Sequence, residues 1–335
     1  MPELRQDQVT GWWVVVAKER AKRPDDFIRR GRAAPPTCPF EYGHESMTPP
    51  ETLAFRPDNS AANTPGWIVR VVPNKFPAFT PENHAEVVDG LYRRRTAYGV
   101  HEVVVHGPEH DLSLATYPDE QVAEVLRAYK LRYEYHKRQP YTRYVQIIIN
   151  HGKEAGASLE HSHSQLFAIP LIPELPKIQL KGAADYFYQN NRCIYCDIIA
   201  SEIAEGARMI DQSEHFIAFV PYAAKLPFET WITPLQHKSQ FETISDSERI
   251  DLASMLRRTL KRFYNGLDNP PYNMYLHTSP PGYDLTDAYH WHMSITPKLT
   301  IQAGFEMGTG MTINVTIPED SAKFLRGVQH IEHGN

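Results

Sequence analysis

The side chains best suited to chemistry in this 335-residue chain lie close together, between residues 150 and 165. His161, His163 and Gln165 alternate there with two serines. Because successive side chains of a strand point to opposite faces, this alternation predicts one wall lined by both imidazoles and the amide. A neutral imidazole is a competent nucleophile near pH 7, since its ordinary pKa is about 6.5. Two histidines at this spacing also occur by chance or as a metal pair, so the surrounding residues decide the interpretation.

The elements around this wall are predicted by hydrophobic and glycine patterns. Residues 144–149 are typical of a buried strand, and Gly152 and Gly156 interrupt it with a loop of small residues. Free N–H groups of such a loop could hold a phosphate. An apolar run then covers 166–169 and stops at Pro170. The pattern therefore predicts a strand, an anion-binding loop and a second strand.

The same order of elements occurs twice along the chain. Apolar spacing predicts a helix over 119–139 ahead of the first histidine pair, and another over 245–267 ahead of His290-Trp291-His292. The parallel indicates two copies of one β-helix-β unit. Ser294 stands in the second copy where the first has Gln165. We therefore expect one active site per pair of repeats.

Composition and charge limit the classes of protein that this chain could belong to. Proline-rich residues 171–176 predict a boundary between two halves, 1–175 and 176–335. A formal net charge of −5 and a pI near 6.3 argue against general binding to nucleic acid or to an anionic membrane. The chain has no apolar run of membrane-span length and no secretory pattern, and its three cysteines do not make a disulfide framework. We expect a soluble, cytoplasmic protein.

The second half contains a candidate metal site. Cys193-x-x-Cys196, with His237 and His290, offers a Cys2His2 set that suits tetrahedral Zn²⁺. One alternative is a pair of buried free cysteines with unrelated histidines. Another is a thioredoxin-like redox pair, although no parallel βαβ pattern surrounds it. The zinc interpretation is favoured because Cys-x-x-Cys in a reducing compartment is typical of metal binding.

The motif also carries a family resemblance. Asn150-x-Gly152-x-x-Ala155-Gly156-Ala157-Ser158, followed by His161-x-His163-x-Gln165, resembles the active-site signature of the galactose-1-phosphate uridylyltransferases. These enzymes form the transferase branch of the histidine-triad superfamily. The resemblance implies an α+β fold of two histidine-triad-like repeats, with a mainly antiparallel half-barrel sheet and flanking helices. It also implies a role in galactose metabolism.

The activity implied by the resemblance is nucleotidyl transfer by double displacement. His163 would attack the α-phosphorus of UDP-glucose, and a hexose 1-phosphate such as galactose 1-phosphate would then accept the uridylyl group. Histidine-triad hydrolases have another histidine at the position of Gln165. An amide can stabilise phosphoryl oxygens without acting as an acid, and a leaving sugar phosphate needs no proton. Gln165 therefore favours transfer over hydrolysis.

The resemblance also assigns substrate contacts residue by residue. The substrate-binding positions that it implies are Arg20, Arg23, Asn74, Asn150, Ser158, Gln165, Phe305 and Glu306. In the family, the aromatic-acid pair that matches Phe305 and Glu306 reaches the site from the partner subunit. A homodimer with active sites at its interface is therefore expected. Thr312 falls where enteric-type enzymes have a hexose-binding glutamine, which leaves the sugar open.

A second metal set is implied in the first half. Family members commonly have Cys-Pro-x-Cys where this chain has Cys38-Pro39-Phe40-Glu41, so the set becomes Cys38, Glu41, His110 and His161. A carboxylate is a legitimate zinc ligand, and the site either survives with Glu41 or is lost. His44 and His106 are nearby in sequence and are predicted to be surface or loop histidines.

Two other functional interpretations stay open at this stage. Within the same branch, the chain could be an ADP-glucose phosphorylase or a dinucleoside polyphosphate phosphorylase, because it has serine between its histidines where many uridylyltransferases have proline. From another class, it could be a zinc-dependent nucleic-acid-binding module. The acidic balance and the lack of basic-aromatic stripes argue against that module.

Overall fold

The computed structural model describes residues 3–16, 37–82, 86–89 and 91–328. A ten-stranded antiparallel sheet forms the frame of this structure. The strands are β1 (Glu3–Gln6), β2 (Trp13–Val16), β3 (Leu53–Phe55), β4 (Val69–Pro73), β5 (Glu86–Asp89), β6 (Tyr92–Arg95), β7 (Val100–Val105), β8 (Tyr144–His151), β9 (His163–Ile169), β10 (Met209–Gln212), β11 (Phe216–Phe219), β12 (Thr230–Pro234), β13 (Tyr272–His277), β14 (His292–Pro297) and β15 (Ile313–Asn314). The helices are α1 (Asp119–Lys137), α2 (Glu174–Asn190), α3 (Ile194–Glu205), α4 (Asp246–Gly266), α5 (Gly304–Thr309) and α6 (Pro318–Gly327).

The order of strands places the two repeats side by side. The large sheet runs β10-β11-β12-β14-β13-β8-β9-β7-β4-β3, and every neighbouring pair is antiparallel. The repeats meet where β8 pairs with β13, with Asn150 opposite Asn273. Smaller sheets are formed by β1-β2-β15 and by β5-β6. The large sheet stays open, and the predicted α+β fold with a mainly antiparallel sheet is confirmed.

The two long helices cover the sheet from equivalent places in the repeats. Helix α1 follows β7 and α4 follows β12, and the two helices pack against each other. Their apolar faces, including Leu126 and Leu256, are fully buried in one core with the sheet. A capping box starts α4, because Ser245 Oγ accepts the Glu248 N–H while the Glu248 carboxylate accepts the Ser245 N–H. This core fixes the strands that carry the histidines.

Helix α2 begins where a proline-rich boundary was expected. It starts at Glu174, with Pro173 as its N-cap and Pro176 in its first turn. Proline is tolerated in a first helical turn, because the N–H groups there have no partner within the helix. Helix α2 therefore begins within the proline-rich residues of the predicted boundary, and the division into two halves at residue 175 stays a prediction.

The backbone of Val9 lies so close to Gly182 that adding a side chain at this glycine should destabilise the protein. The N-terminal segment passes so near α2 that a Cβ on Gly182 would lie 1.7 Å from the carbonyl oxygen of Val9. Gly182→Ala should therefore lower the free energy of unfolding by about 1–3 kcal/mol, the usual cost of overpacking. Thermal unfolding measures it. Gly327→Ala is the matched control, since no atom lies within 4 Å of its Cβ position; an equal loss in both variants would contradict the prediction.

Within the described ranges, no helix is both long and apolar enough to cross a membrane.

Candidate active site

Strand β9 presents His163 with one ring nitrogen held and the other available. Its Nδ1 donates to the carbonyl oxygen of His161 at 2.7 Å. No described residue forms a hydrogen bond with Nε2, which carries the lone pair in this tautomer. Burial lowers the pKa of His163, which favours the neutral ring. The ring of Phe40 packs beside it, with centroids 5.4 Å apart. His163 thus meets the requirements of a neutral nitrogen nucleophile.

The opposite face of the same segment is fixed by a buried polar cluster around His106. The Nδ1 atom of His106 lies 2.8 Å from Ser162 Oγ, and its Nε2 contacts Ser164 Oγ. The hydroxyl of Tyr129 lies 3.2 Å from the same Nε2 and also contacts Ser164 Oγ. His106 lies in the loop just after β7, as one part of the prediction had it, but it is fully buried and not at the surface. It is buried because the two serines between the motif residues give its ring polar partners inside the core. Burial lowers the pKa of His106 well below its usual value.

Gln165 points from β9 towards His101, a residue that the sequence did not single out. His101 Nε2 lies 2.8 Å from Gln165 Oε1, and the backbone N–H of Ala78 donates to His101 Nδ1 at 3.2 Å. The His101 ring stacks on Phe167, its register partner on β9, with centroids 4.1 Å apart. Only the strand register brings these residues together, and a sequence pattern does not give that register.

The glycine loop has the backbone that the sequence predicted, but its N–H groups are used differently. Gly152 and Gly156 have φ of 80° and 88°, a region that favours glycine. The N–H groups of Ala155 and Ala157 donate to the carbonyl of Gly152, and that of Gly156 donates to Lys153. The expectation that free N–H groups would hold a phosphate is therefore wrong for these three residues, because they close the loop itself.

Asn150 is held by a residue of the second repeat. Asn273 Nδ2 donates to Asn150 Oδ1 and to the carbonyl of Ala155, both at 2.8 Å. Asn273 is buried, and it lies directly opposite Asn150 in the β8–β13 pair. The Asn150 amide nitrogen is left for another acceptor, and Ser158 lies exposed in the same loop. The second repeat therefore contributes to the site, a contribution that only the pairing of the two repeats shows.

The second half brings four candidate metal ligands together. One donor atom from each of Cys193, Cys196, His237 and His290 lies within 4.8 Å of the others. Cys196 Sγ lies 3.3 Å from His237 Nδ1 and 3.6 Å from His290 Nδ1. A zinc tetrahedron has ligand separations of about 3.3–3.8 Å, from its usual bond lengths. Nε2 of His237 donates to the Thr286 carbonyl at 3.0 Å, which points Nδ1 into the cluster. The set fits a zinc ion.

The thiols of this cluster are also electronically suited to a cation. The pKa of Cys193 is lowered to about 3, first because the Cys196 thiol donates a hydrogen bond to it and further because both histidines do. The pKa of Cys196 is raised by the same hydrogen bond and by burial. One thiolate is therefore favoured even before a metal ion binds.

The first half assembles the mixed set with Glu41. Donor atoms of Cys38, Glu41, His110 and His161 all lie within 4.8 Å of one another. Cys38 Sγ lies 3.6 Å from His161 Nδ1, while His161 Nε2 donates to the Gly107 carbonyl at 2.7 Å. Glu41 Oε1 lies 2.8 Å from His110 Nδ1, a buried atom with no hydrogen bond to any described residue. Four ligand-type atoms converging on one space fit a cation, so Glu41 is placed where a fourth ligand would bind.

The corresponding place in the second repeat is filled. His292, the counterpart of His163, is fully buried between the rings of Trp231 and His277, with centroids 4.4 and 4.8 Å away. Ser294 there points towards Glu229 at 3.5 Å. Because aromatic rings occupy the space in front of His292, a nucleotide cannot reach it. His163 keeps 7% of its surface exposed and His292 none, so of these two equivalent histidines in the described residues only the one on β9 meets solvent.

Comparison with known proteins agrees with this arrangement. The profile of the galactose-1-phosphate uridyl transferase N-terminal domain matches residues 1–173, and that of the C-terminal domain matches residues 179–333. The chain belongs to the galactose-1-phosphate uridyl transferase family. It is 36% identical to the ADP-glucose phosphorylase of Arabidopsis thaliana, over 98% of this chain and 93% of that protein. It is 28% identical to the galactose-1-phosphate uridylyltransferase of Thermotoga maritima, over 97% and 98%.

Solved structures of the galactose-1-phosphate uridyl transferase family are similar along the whole chain. The crystal structure of the Arabidopsis thaliana ADP-glucose phosphorylase with bound ADP-glucose superposes with a TM-score of 0.85 at 35% identity, covering 98% of this chain and all of that one. A uridylyltransferase structure gives a TM-score of 0.77 at 28% identity, covering 98% of both chains. The two-repeat fold is therefore shared with members that act on different nucleotides.

Among the remaining positions expected from the galactose-1-phosphate uridyl transferase family, Asn74 lies near Gln165 through His101, and the others lie apart from β9 or outside the described residues. Arg20 and Arg23 fall within residues 17–36, which the structure does not describe. Asn74 is half-buried, with its amide nitrogen 3.1 Å from His101 Nε2. Phe305 and Glu306, on α5, line a cavity of about 490 Å³ whose wall includes Thr312 and none of the β9 residues.

Proposed function

We propose that this protein is a nucleotidyltransferase in which His163 carries the nucleotide between two phosphate-containing substrates. The observation that supports it most directly is the tautomer of His163, whose Nδ1 is committed to the His161 carbonyl at 2.7 Å. Its Nε2 therefore keeps a lone pair on the face that also carries Gln165. Nucleophile and amide donor on one wall are what phosphoryl transfer through a covalent intermediate needs.

The donor that we propose first is ADP-glucose, with inorganic phosphate as the acceptor. The Arabidopsis thaliana relative with that activity is 36% identical, whereas the uridylyltransferase from Thermotoga maritima is 28% identical. A structure of the former with ADP-glucose also superposes more closely than the uridylyltransferase does. This reverses the order expected from the sequence alone. UDP-glucose with a hexose 1-phosphate, galactose 1-phosphate included, is the second candidate.

The reaction balances as two in-line displacements. Nε2 of His163 forms a bond to the α-phosphorus of ADP-glucose, and the bond from that phosphorus to glucose 1-phosphate breaks. Phosphate then forms a bond to the same phosphorus, the N–P bond breaks, and ADP leaves. Glucose 1-phosphate departs without a proton, because its second pKa is about 6. No residue needs to act as a strong acid, which agrees with an amide at position 165.

The other parts of the proposal follow from the same family resemblance. A zinc ion at Cys193, Cys196, His237 and His290 would hold the second repeat together, and one at Cys38, Glu41, His110 and His161 would anchor His161 beside the nucleophile. We also propose a cytoplasmic homodimer, in which Phe305 and Glu306 contact the sugar in the partner's site. Arg20, Arg23, Asn74, Asn150 and Ser158 are the further substrate contacts that we propose.

The test of the proposed function uses one substrate at a time. Protein incubated with ADP-glucose alone should gain an adenylyl group on His163, because the second displacement cannot occur without phosphate. Intact mass shows the addition and distinguishes AMP from UMP, and peptide mapping locates it. UDP-glucose is tested in parallel. A uridylyl adduct without an adenylyl adduct would select the second candidate, and no adduct with either donor would contradict covalent transfer.

Gln165→Ala should slow transfer by about 10²–10³-fold while the protein stays folded. The size follows from losing one donor aimed at developing charge on the phosphate. Steady-state kcat with ADP-glucose and phosphate measures it, and unchanged thermal unfolding shows that the fold survives. Ser294→Ala, at the corresponding position of the filled second repeat, is the control and should keep full activity. Turnover of Gln165→Ala near that of the wild type would mean that the amide does not meet the phosphate.

A further inference from the structure

We propose that His101 is a positioning residue that fixes which end of the Gln165 amide faces the reacting phosphate. An amide has two ends of similar size and opposite polarity, and only the NH2 end can donate to phosphoryl oxygens. If Gln165 turned over, its carbonyl oxygen would face the anionic phosphate and repel it. The role of Gln165 in the proposed function therefore depends on something that selects one orientation.

The orientation of the Gln165 amide is set first by the backbone N–H of Ala78, which can only donate a hydrogen bond. The N–H of Ala78 donates to His101 Nδ1 at 3.2 Å, so that nitrogen must be the unprotonated one. The proton of the neutral ring is then on Nε2. This nitrogen lies 2.8 Å from the Gln165 side chain, where it can only donate, and it therefore requires Oε1 of Gln165 at that position. The NH2 group must point the other way, and no described residue accepts a hydrogen bond from it.

Asn74 is a competing neighbour, but it does not reverse this assignment. Its Nδ2 lies 3.1 Å from His101 Nε2, and its Oδ1 accepts the backbone N–H of Phe76 at 2.8 Å. If Nε2 accepted from Asn74, the proton would have to move to Nδ1, where it would oppose the N–H of Ala78. The N–H of Phe76 fixes the Asn74 amide as well, but in that tautomer one lone pair on Nε2 would also have to serve both the Asn74 and the Gln165 amide. The Ala78 contact therefore decides the tautomer.

The environment of His101 holds the ring in this position. It is buried, and it stacks on Phe167 at an interplanar angle of 25°. The same arrangement recurs at the other active-site amide: the backbone carbonyl of Ala155 fixes Asn273, and Asn273 donates to Asn150 Oδ1. In both places a backbone group of fixed polarity acts through one side chain and leaves an NH2 group facing the substrate side.

The experiment separates the two contacts of His101. In His101→Asn, the shorter amide can still accept the N–H of Ala78 but does not reach Gln165. In His101→Gln, the longer amide can donate to Gln165. We expect His101→Asn to lower kcat about 10- to 100-fold with little change in KM, the usual effect of losing a group that orients a catalytic one. We expect His101→Gln to recover most of the rate. If His101→Asn were more active than His101→Gln, the contact of His101 with Ala78 would be the one that matters, and the proposal would be overturned.

A double-mutant cycle gives the decisive readout. If His101 acts through Gln165, then His101→Asn should cause no further loss in a Gln165→Ala background. Losses that multiply would indicate a separate structural role and overturn the proposal. If His101→Asn does not fold, His101→Leu takes its place in the same cycle. The inference rests on the proposed function, but different results contradict each of them. Full activity of Gln165→Ala contradicts the role of Gln165 in the proposed function. Reduced activity of Gln165→Ala, together with a loss from His101→Asn that multiplies with it, contradicts only the inference.

Discussion

Replacing His163 by asparagine is expected to abolish the covalent adduct and to lower turnover by about 10⁴-fold or more, as removal of a catalytic nucleophile does elsewhere. The amide nitrogen of asparagine lies near the place of imidazole Nδ1 and can still donate to the His161 carbonyl, which His163 Nδ1 now does at 2.7 Å. What is lost is the second nitrogen, Nε2, because an amide has no nucleophilic lone pair at that position. Turnover and intact mass with ADP-glucose and UDP-glucose both measure the result.

The repeat supplies a matched control for this variant. His292 is the counterpart of His163, and its Nδ1 faces the carbonyl of His290 at 3.3 Å. His292→Asn therefore makes the same chemical change at the corresponding position, but behind Trp231 and His277. We expect it to keep one adduct per chain at the wild-type rate. An adduct that persists in His163→Asn, or that folded His292→Asn loses, would place the nucleophile elsewhere.

Residues whose positions depend on spacing along the chain could be predicted from the sequence. The alternation indicates the strand that carries His163 and Gln165, although His161 was predicted on it and lies just before it begins. The two glycines with positive φ indicate the loop before it. Both predictions depend on neighbours a few residues apart, where backbone geometry sets the outcome. The helices before each histidine pair were predictable for the same reason, since an apolar face repeats every three to four residues.

The supporting residues were not predictable, because they depend on which strands pair and in which register. His101 reaches Gln165 only through the β7–β9 pair, and Asn273 reaches Asn150 only through the β8–β13 pair. A one-residue shift in either pair would turn these side chains to the other face. His106 was predicted to be a surface or loop histidine, and its burial could not be predicted for a related reason: its partners, Ser162 and Ser164, lie more than fifty residues away in the chain.

The closed second repeat shows another limit of sequence patterns. Ser294 indicated that this copy lacks an amide at the position of Gln165, but it did not show that the space is filled. Trp231 stands opposite Ser294 in the β12–β14 pair, where the first repeat has Val103 opposite Gln165. The large indole stacks on His292, whereas valine at the corresponding place is too small to form such a stack. This difference in side-chain volume at a paired position contributes to the complete burial of His292, whereas His163 keeps 7% of its surface exposed.

Removing the metal ion from the second repeat is expected to destabilise the protein strongly. The proposed ligands come from the start of α3 and from the segments that follow β12 and precede β14, so one ion would join three parts of the fold. Zinc in small structural sites contributes apparent binding free energies of about 10–16 kcal/mol, which is comparable to the whole stability of a domain, about 5–15 kcal/mol. Cys193→Ser should therefore lose zinc and lower the unfolding temperature markedly, as elemental analysis and thermal unfolding would show.

The candidate metal site of the first repeat provides a matched control for this prediction. Cys38→Ser changes the same atom type in the mixed set with Glu41, and it should remove at most the zinc bound there. If both sets bind zinc, each single variant should retain about one of two ions and the double variant none. Wild-type protein purified with zinc present but containing none, or Cys193→Ser protein with unchanged zinc content, would contradict the assignment. Cys196 Sγ already lies at tetrahedral separations from both imidazoles, so the ion would need little rearrangement there to bind. Its loss would leave a thiolate and two imidazoles crowded together without a cation to hold them.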